Sequence, residues 1–205
     1  VINKPRGIAV QSGTNNLKNI VDTLKKTKYF KNSKPYIVHR LDKETSGIFL
    51  IAKNRESAQF FTSLFRIRKI HKTYLAVVKG EVSKNLKKME DFLVYHERNK
   101  KIRLKATTFL KVLKTNSKYT LLELNPLTGR KPQTRNHLTS IGHQIIGDMK
   151  YGNIKINEGL EKKLYLHAQK LVFPSFKSEE KIEVIAEMPI YFYEAIKRLK
   201  LNSDE

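Results

Sequence analysis

The segment His39-Arg40-Leu41-Asp42-Lys43-Glu44-Thr45-Ser46-Gly47-Ile48 constrains this chain more than any other stretch. It sets one carboxylate, Asp42, between two cations, Arg40 and Lys43, ahead of a turn-forming Thr45-Ser46-Gly47. An apolar run, Ile48-Phe49-Leu50-Ile51-Ala52, follows directly and reads as a buried strand. The chain must therefore enter its core straight from a charged turn, with Asp42 at the mouth of the strand. Nearby positive charge favours the ionised form of a carboxylate. An ionised carboxylate in such a place is a candidate nucleophile.

Hydrophobic periodicity places the other elements. Lys4-Pro5-Arg6-Gly7 is a turn signal between short apolar runs. Leu17, Ile20, Val21 and Leu24 recur at helical spacing over 16–25. Val38 leads into the central segment, and Asn54 is placed to cap a helix whose inner face is Ala58, Phe61, Leu64 and Phe65. Branched, aromatic and apolar residues predict strands over 73–78, 106–113, 119–124, 170–173 and 182–186. Gly129-Arg130-Lys131-Pro132 opens a further helix, with Pro132 suited to its first turn and Gly142 to its C-terminal end. A last helix follows Pro189. Strands scattered among helices, without a βαβ rhythm, predict an α+β fold with a mixed, mostly antiparallel sheet flanked by helices. With no internal repeat and no long linker, 205 residues suggest one domain over 1–205.

Charge narrows the partner. There are 41 Lys and Arg against 19 Asp and Glu, a net charge of +22. That imbalance points to a polyanion, and nucleic acid is the usual one. Basic residues crowd 83–88 (Lys84, Lys87, Lys88) and 98–105 (Arg98, Lys100, Lys101, Arg103, Lys105). Both stretches read as loops or a hairpin suited to phosphate contact. Cysteine is absent, which removes disulfides, thiolate metal sites and a cysteine nucleophile, and fits a cytoplasmic protein. His137, His143 and His167 match no compact zinc pattern, so no metal is expected. No apolar run approaches the ~18 residues of a membrane span. The chain opens at Val1 without Met or a signal peptide, so an upstream segment is expected.

Several separated segments matter together. They are Asn3-Lys4-Pro5-Arg6-Gly7, the segment from His39 to Gly47, and Lys72-Thr73-Tyr74-Leu75-Ala76-Val77-Val78-Lys79-Gly80. A longer one runs Leu127-Thr128-Gly129-Arg130-Lys131-Pro132-Gln133-Thr134-Arg135-Asn136-His137-Leu138, then through Gly142-His143 to Gly147-Asp148 and Tyr151-Gly152. Leu166-His167-Ala168-Gln169-Lys170-Leu171 comes last. Their order and spacing resemble the RluA-type pseudouridine synthases, in particular the RluC/RluD group acting on large-subunit ribosomal RNA. The resemblance spans nearly the whole chain. It implies a catalytic domain with a central basic cleft that turns uridine in RNA into its C-glycoside isomer, without cofactor or metal. An S4-type RNA-binding domain preceding this one is a further implication.

Carried over by position, Asp42 resembles the family's catalytic aspartate, Arg135 the basic residue that pairs with it, and Tyr74 the active-site tyrosine. His39, Arg40, Arg130 and Gln133 are the expected RNA contacts. Arg40 precedes Asp42 by two residues, where a planar guanidinium can fill the gap left by an extruded nucleotide. His39 serves equally well as a structural hydrogen-bonder. Pro132 departs from the family, which usually has His there. A monomer acting on ribosomal RNA is expected, with transfer RNA as the alternative substrate. A non-catalytic RNA-binding or ribosome-assembly module is the main rival reading. A glycosidic hydrolase ranks low, because that chemistry usually needs two carboxylates and only Glu44 lies near.

Overall fold

The computed structural model describes residues 1–11, 19–31, 33–97, 100–152, 160, 162–178 and 180–201. They form two compact units, Val1–His71 with His167–Met188, and Lys72–Leu166 with Pro189–Glu205. The strands are β1 (Ile2–Lys4), β2 (Tyr36–Ile37), β3 (Ser46–Phe49), β4 (Ile51–Ala52), β5 (His71–Lys79), β6 (Lys88–Glu97), β7 (Lys100–Thr115), β8 (Tyr119–Pro126), β9 (Leu166–Pro174) and β10 (Lys181–Ile185). The helices are α1 (Ile20–Lys25), α2 (Arg55–Arg66), α3 (Gln133–Ser140) and α4 (Ile190–Arg198). No helix among the described residues is long and apolar enough to cross a membrane.

In the first unit, β1 pairs antiparallel with β3, and β3 runs parallel to β9 through Ser46 opposite His167 and Gly47 opposite Ala168. β9 and β10 form an antiparallel hairpin, and β2 pairs antiparallel with β4. The apolar run expected as one strand is broken at Leu50, whose N–H donates to His39 Nε2 at 2.8 Å. The turn also lies earlier than its sequence suggests. Thr45 N–H closes on Asp42 O at 3.1 Å, and Ser46 and Gly47 already belong to β3. Gly47 is needed for a close strand approach: a Cβ there would stand 2.2 Å from Ala168 O, and its φ is +111°. Helix α2 starts where Asn54 accepts the Ser57 N–H at 2.9 Å. It buries Leu64 against Val38, Ile48, Leu50, Leu171 and Phe173. Each such fully buried side chain stabilises the fold by ~1.5–3 kcal/mol. Helix α1 covers only the C-terminal part of the stretch expected over 16–25, and residues 12–18 with Leu17 lie outside the described residues.

The second unit is an antiparallel sheet in the order β5-β8-β7-β6. β7 pairs with β6 through Lys100–Phe109 and with β8 through Thr108–Thr115. β6 and the outer half of β7 are the strands that periodicity does not reveal. The outer half of β7 alternates charged with single apolar residues, and β6 holds only the short apolar run Phe92-Leu93-Val94-Tyr95 between charged ends. The basic stretch over 98–105 becomes, from Lys100 on, part of β7, while Arg98 lies outside the described residues. Helix α3 ends in a Schellman motif, with Gly142 N–H on Thr139 O and His143 N–H on Leu138 O. Gly142 takes the left-handed φ of +80° that this motif requires. Taken together the pairings are mixed but mostly antiparallel, and the class is α+β.

His167 is fully buried, with Nδ1 2.9 Å from Ser46 Oγ and Nε2 3.4 Å from Ala186 O. Burial lowers its pKa, and the Ala186 carbonyl opposes that only in part. His137, also buried, is shifted the same way. The unfolded chain therefore binds protons near pH ~6.5 that the folded chain refuses. Stability is complete above that pH and is lost as pH falls below it. Urea midpoints measured from pH 7 to 5 should drop steadily, and His167→Gln should show a shallower pH slope than the parent protein.

Candidate active site

Asp42 is half-buried at the start of its turn, and the N-terminal segment holds that turn in place. Lys4 is fully buried, and its Nζ donates to Pro5 O at 2.8 Å, Ile8 O at 3.0 Å and Lys43 O at 3.2 Å. An ammonium has three N–H donors, and these carbonyls match them. Gly7 N–H reaches the same Lys43 carbonyl at 2.8 Å, and Arg6 Nη2 pairs with Glu44 Oε2 at 2.6 Å. Burial pulls the Lys4 pKa down to about 8, while the charges of Glu44 and Asp42 push it up. At neutral pH most molecules therefore carry the ammonium, a fixed positive charge within the field of Asp42. His39 stacks on Phe65 at 4.7 Å and packs at a tilt against Phe49 at 4.9 Å, besides accepting the Leu50 N–H. That is a structural role, and it anchors the strand entering the turn. Arg40 is exposed.

The remaining site residues lie in the second unit. Tyr74 is half-buried on β5 opposite Leu124. Arg135 stands in the first turn of α3 and is buried. Asp148 grips it in a bidentate pair, Nε to Oδ2 at 2.7 Å and Nη2 to Oδ1 at 2.5 Å. The Tyr151 ring covers the guanidinium, with its centroid 4.5 Å from Cζ. Burial disfavours the Asp148 carboxylate, but the Arg135 hydrogen bond, the Tyr151 N–H and the Arg135 charge outweigh it, so its pKa is lowered. Gln133 is buried with its whole amide engaged inside the protein. It accepts from Thr128 Oγ1 and from Arg130 N–H at 3.1 Å, and donates to Thr107 O and Thr108 Oγ1, each at 2.9 Å. It thus shapes the turn carrying the half-buried Arg130, rather than presenting its own amide.

Lys4, Asp148 and Tyr151 were visible in sequence only as parts of motifs. Nothing in a run such as Ile2-Asn3-Lys4 says that its lysine is buried. Nor does the spacing of Arg135 and Asp148 announce a pair, because α3 and the loop after it bring them together.

A family profile described as RNA pseudouridylate synthase matches residues 1–140. The ribosomal large subunit pseudouridine synthase C of Rickettsia bellii is 38% identical over 93% of this chain and 66% of that protein. The tRNA pseudouridine synthase C of Haemophilus ducreyi is 33% identical over 90% of this chain and 85% of that protein. The chain thus spans 66% of the length of the Rickettsia relative and 65% of its counterpart from Buchnera aphidicola. Among solved structures, human RNA pseudouridylate synthase domain containing 4 superimposes with a TM-score of 0.81 at 26% identity, over 97% of this chain and 88% of that one. A family match covering residues 1–140, with relatives and a solved fold of the same kind, places this chain in the RNA pseudouridylate synthase family.

Proposed function

We propose that this chain isomerises uridines in RNA to pseudouridine, with large-subunit ribosomal RNA as its substrate and Asp42 as the catalytic carboxylate. The observation that carries this reading is the Asp42 turn, built at the mouth of β3 and held by Lys4, Arg6 and Gly7. The reaction breaks the bond between N1 of the base and C1′ of the sugar, turns the uracil, and joins C5 to C1′. The C5 proton must then leave. A single carboxylate can begin this by attacking C1′ or C6, or by taking a sugar proton to give a glycal. In this reading Arg135 is the electrostatic partner of Asp42. Tyr74 stacks on the uracil, and its hydroxyl helps remove the departing C5 proton, passing its own proton on as it takes one. Exposed Arg40 fills the space left when the nucleotide is extruded, offsetting a loss of stacking of a few kcal/mol.

The β6–β7 hairpin supports an RNA substrate. One of its faces carries Phe92, Val94, Lys101, Arg103 and Lys105, all exposed. The Arg103 guanidinium lies 5.2 Å over the Phe92 ring. Cations interleaved with apolar side chains suit a phosphate backbone beside bases. The ribosomal target rests on the names of relatives such as the Rickettsia bellii enzyme. Transfer RNA is a second reading, favoured by the Haemophilus ducreyi relative, 85% of whose length the chain covers.

Transcripts labelled with tritium at C5 of uridine test these roles. The parent protein should release tritium from large-subunit ribosomal RNA. Asp42→Asn should reduce release to background while RNA affinity changes less than threefold. Release from transfer RNA alone would select the second reading, and release from neither would leave an RNA-binding module. In the same assay Arg40→Ala should slow turnover on folded RNA about tenfold or more but spare an unstructured oligonucleotide, since only the former must be unstacked. RNA affinity should fall steeply with salt, each lost phosphate contact lowering the log–log slope by ~0.7–0.9. Replacing Arg103 and Lys105 with Gln should flatten that slope; an unchanged slope would remove the hairpin from the interface.

A further inference from the structure

Arg135 is not simply a buried cation. Its Nε–H and one Nη2–H are bound by Asp148, so the direction of its other N–H groups is set by the planar fork of the guanidinium. Asp148 is itself fixed. Its Oδ1 accepts the Lys150 N–H at 3.1 Å and the Tyr151 N–H at 3.0 Å, and its carbonyl accepts the Gly152 N–H at 3.0 Å. The turn that begins at Asp148 thereby brings the face of the Tyr151 ring to 4.5 Å from Arg135 Cζ. Gly147 lets this loop pass the chain at Lys163: a Cβ on it would come within 1.8 Å of Lys163 O. Backbone bonds tie the loop to β5, through Ile146 N–H on Val77 O and Lys79 N–H on Gln144 O, each at 2.9 Å.

We propose that Asp148 and Tyr151 are positioning residues that clamp Arg135 by its edge and its face. The inference rests on the reading of Arg135 as the partner of Asp42. The clamped pair is close to neutral, so Arg135 contributes directed donors instead of a mobile charge. Its side-chain freedom is removed when the protein folds, not when the nucleotide reacts, which is how preorganised groups favour a transition state over a ground state. A lysine in its place would lack the fork and could not be held this way.

Kinetics of tritium release from the ribosomal transcript test the clamp. Asp148→Asn can still accept the two backbone N–H groups, but its amide nitrogen would face Arg135 donor to donor. It should lower kcat 10- to 100-fold with KM changed less than threefold. Arg135→Ala and Arg135→Lys should lose at least as much. The double variant Asp148→Asn with Arg135→Ala should be no worse than Arg135→Ala alone, because the clamp acts only through the arginine. Tyr151→Leu should lower kcat 3- to 10-fold, and Tyr151→Phe should restore it. Additive losses in the double variant, or parent-like kcat in Asp148→Asn, would overturn the proposal. Should Asp148→Asn fail to fold, parent-like kcat in Tyr151→Leu overturns it as well. Retained activity in Arg135→Ala would instead sink the underlying reading of Arg135, so the two failures are distinguishable.

Discussion

A buried ammonium group underlies the arrangement of the first unit. Lys4 reaches from β1 to the carbonyl of Lys43, and the same nitrogen holds the carbonyls of Pro5 and Ile8. Removing it would take a donor from all three carbonyls, of which, among the described residues, only that of Lys43 keeps another, the Gly7 N–H; a buried group left unsatisfied costs ~1–3 kcal/mol. The turn carrying Asp42 is thus defined by contacts far from it in sequence. This also explains why so charged a turn can feed directly into the apolar β3. The charge of Lys4 is met by carbonyl oxygens and by the carboxylates of Glu44 and Asp42, not by solvent.

The second unit solves a similar problem differently. Arg135 enters the interior with its own counter-ion, Asp148, and an aromatic cover, Tyr151. Such a buried pair is weak evidence for added stability, since desolvating both charges opposes their attraction. What it does supply is direction. A guanidinium held along one edge and over one face has little freedom left, which matters where a charge or dipole must be aimed. Gln133 shows the same logic in a neutral group: its amide is wholly engaged in shaping the turn that carries Arg130.

Helix α2, β5, β8, β9, β10 and α4 were legible because their apolar residues recur with the period of the element they form. The cap at Asn54 and the glycine after α3 were legible because those positions have local chemistry that few residues satisfy. β6 and the outer half of β7 were not. In this ribbon the apolar stretches are short, four residues from Phe92 to Tyr95 in β6 and single residues in the outer half of β7, and the flanking charges look the same in a loop. The turn before β3 was misplaced because Gly47 resembles a turn glycine, whereas it is the contact with Ala168 that needs it.

The sequence alone determined the fold class, supplied the net charge of +22 that points to a polyanion, and held the residues proposed for chemistry, because composition, periodicity and motif order are local or additive properties. Only the tertiary structure decided how those residues are held. That Lys4 is buried, that His39 caps a broken strand, that Gln133 turns its amide inward and that Asp148 grips Arg135 all depend on which segments folding brings together. Hydrogen-bond partners are chosen by proximity in space, and spacing along the chain carries no record of that choice.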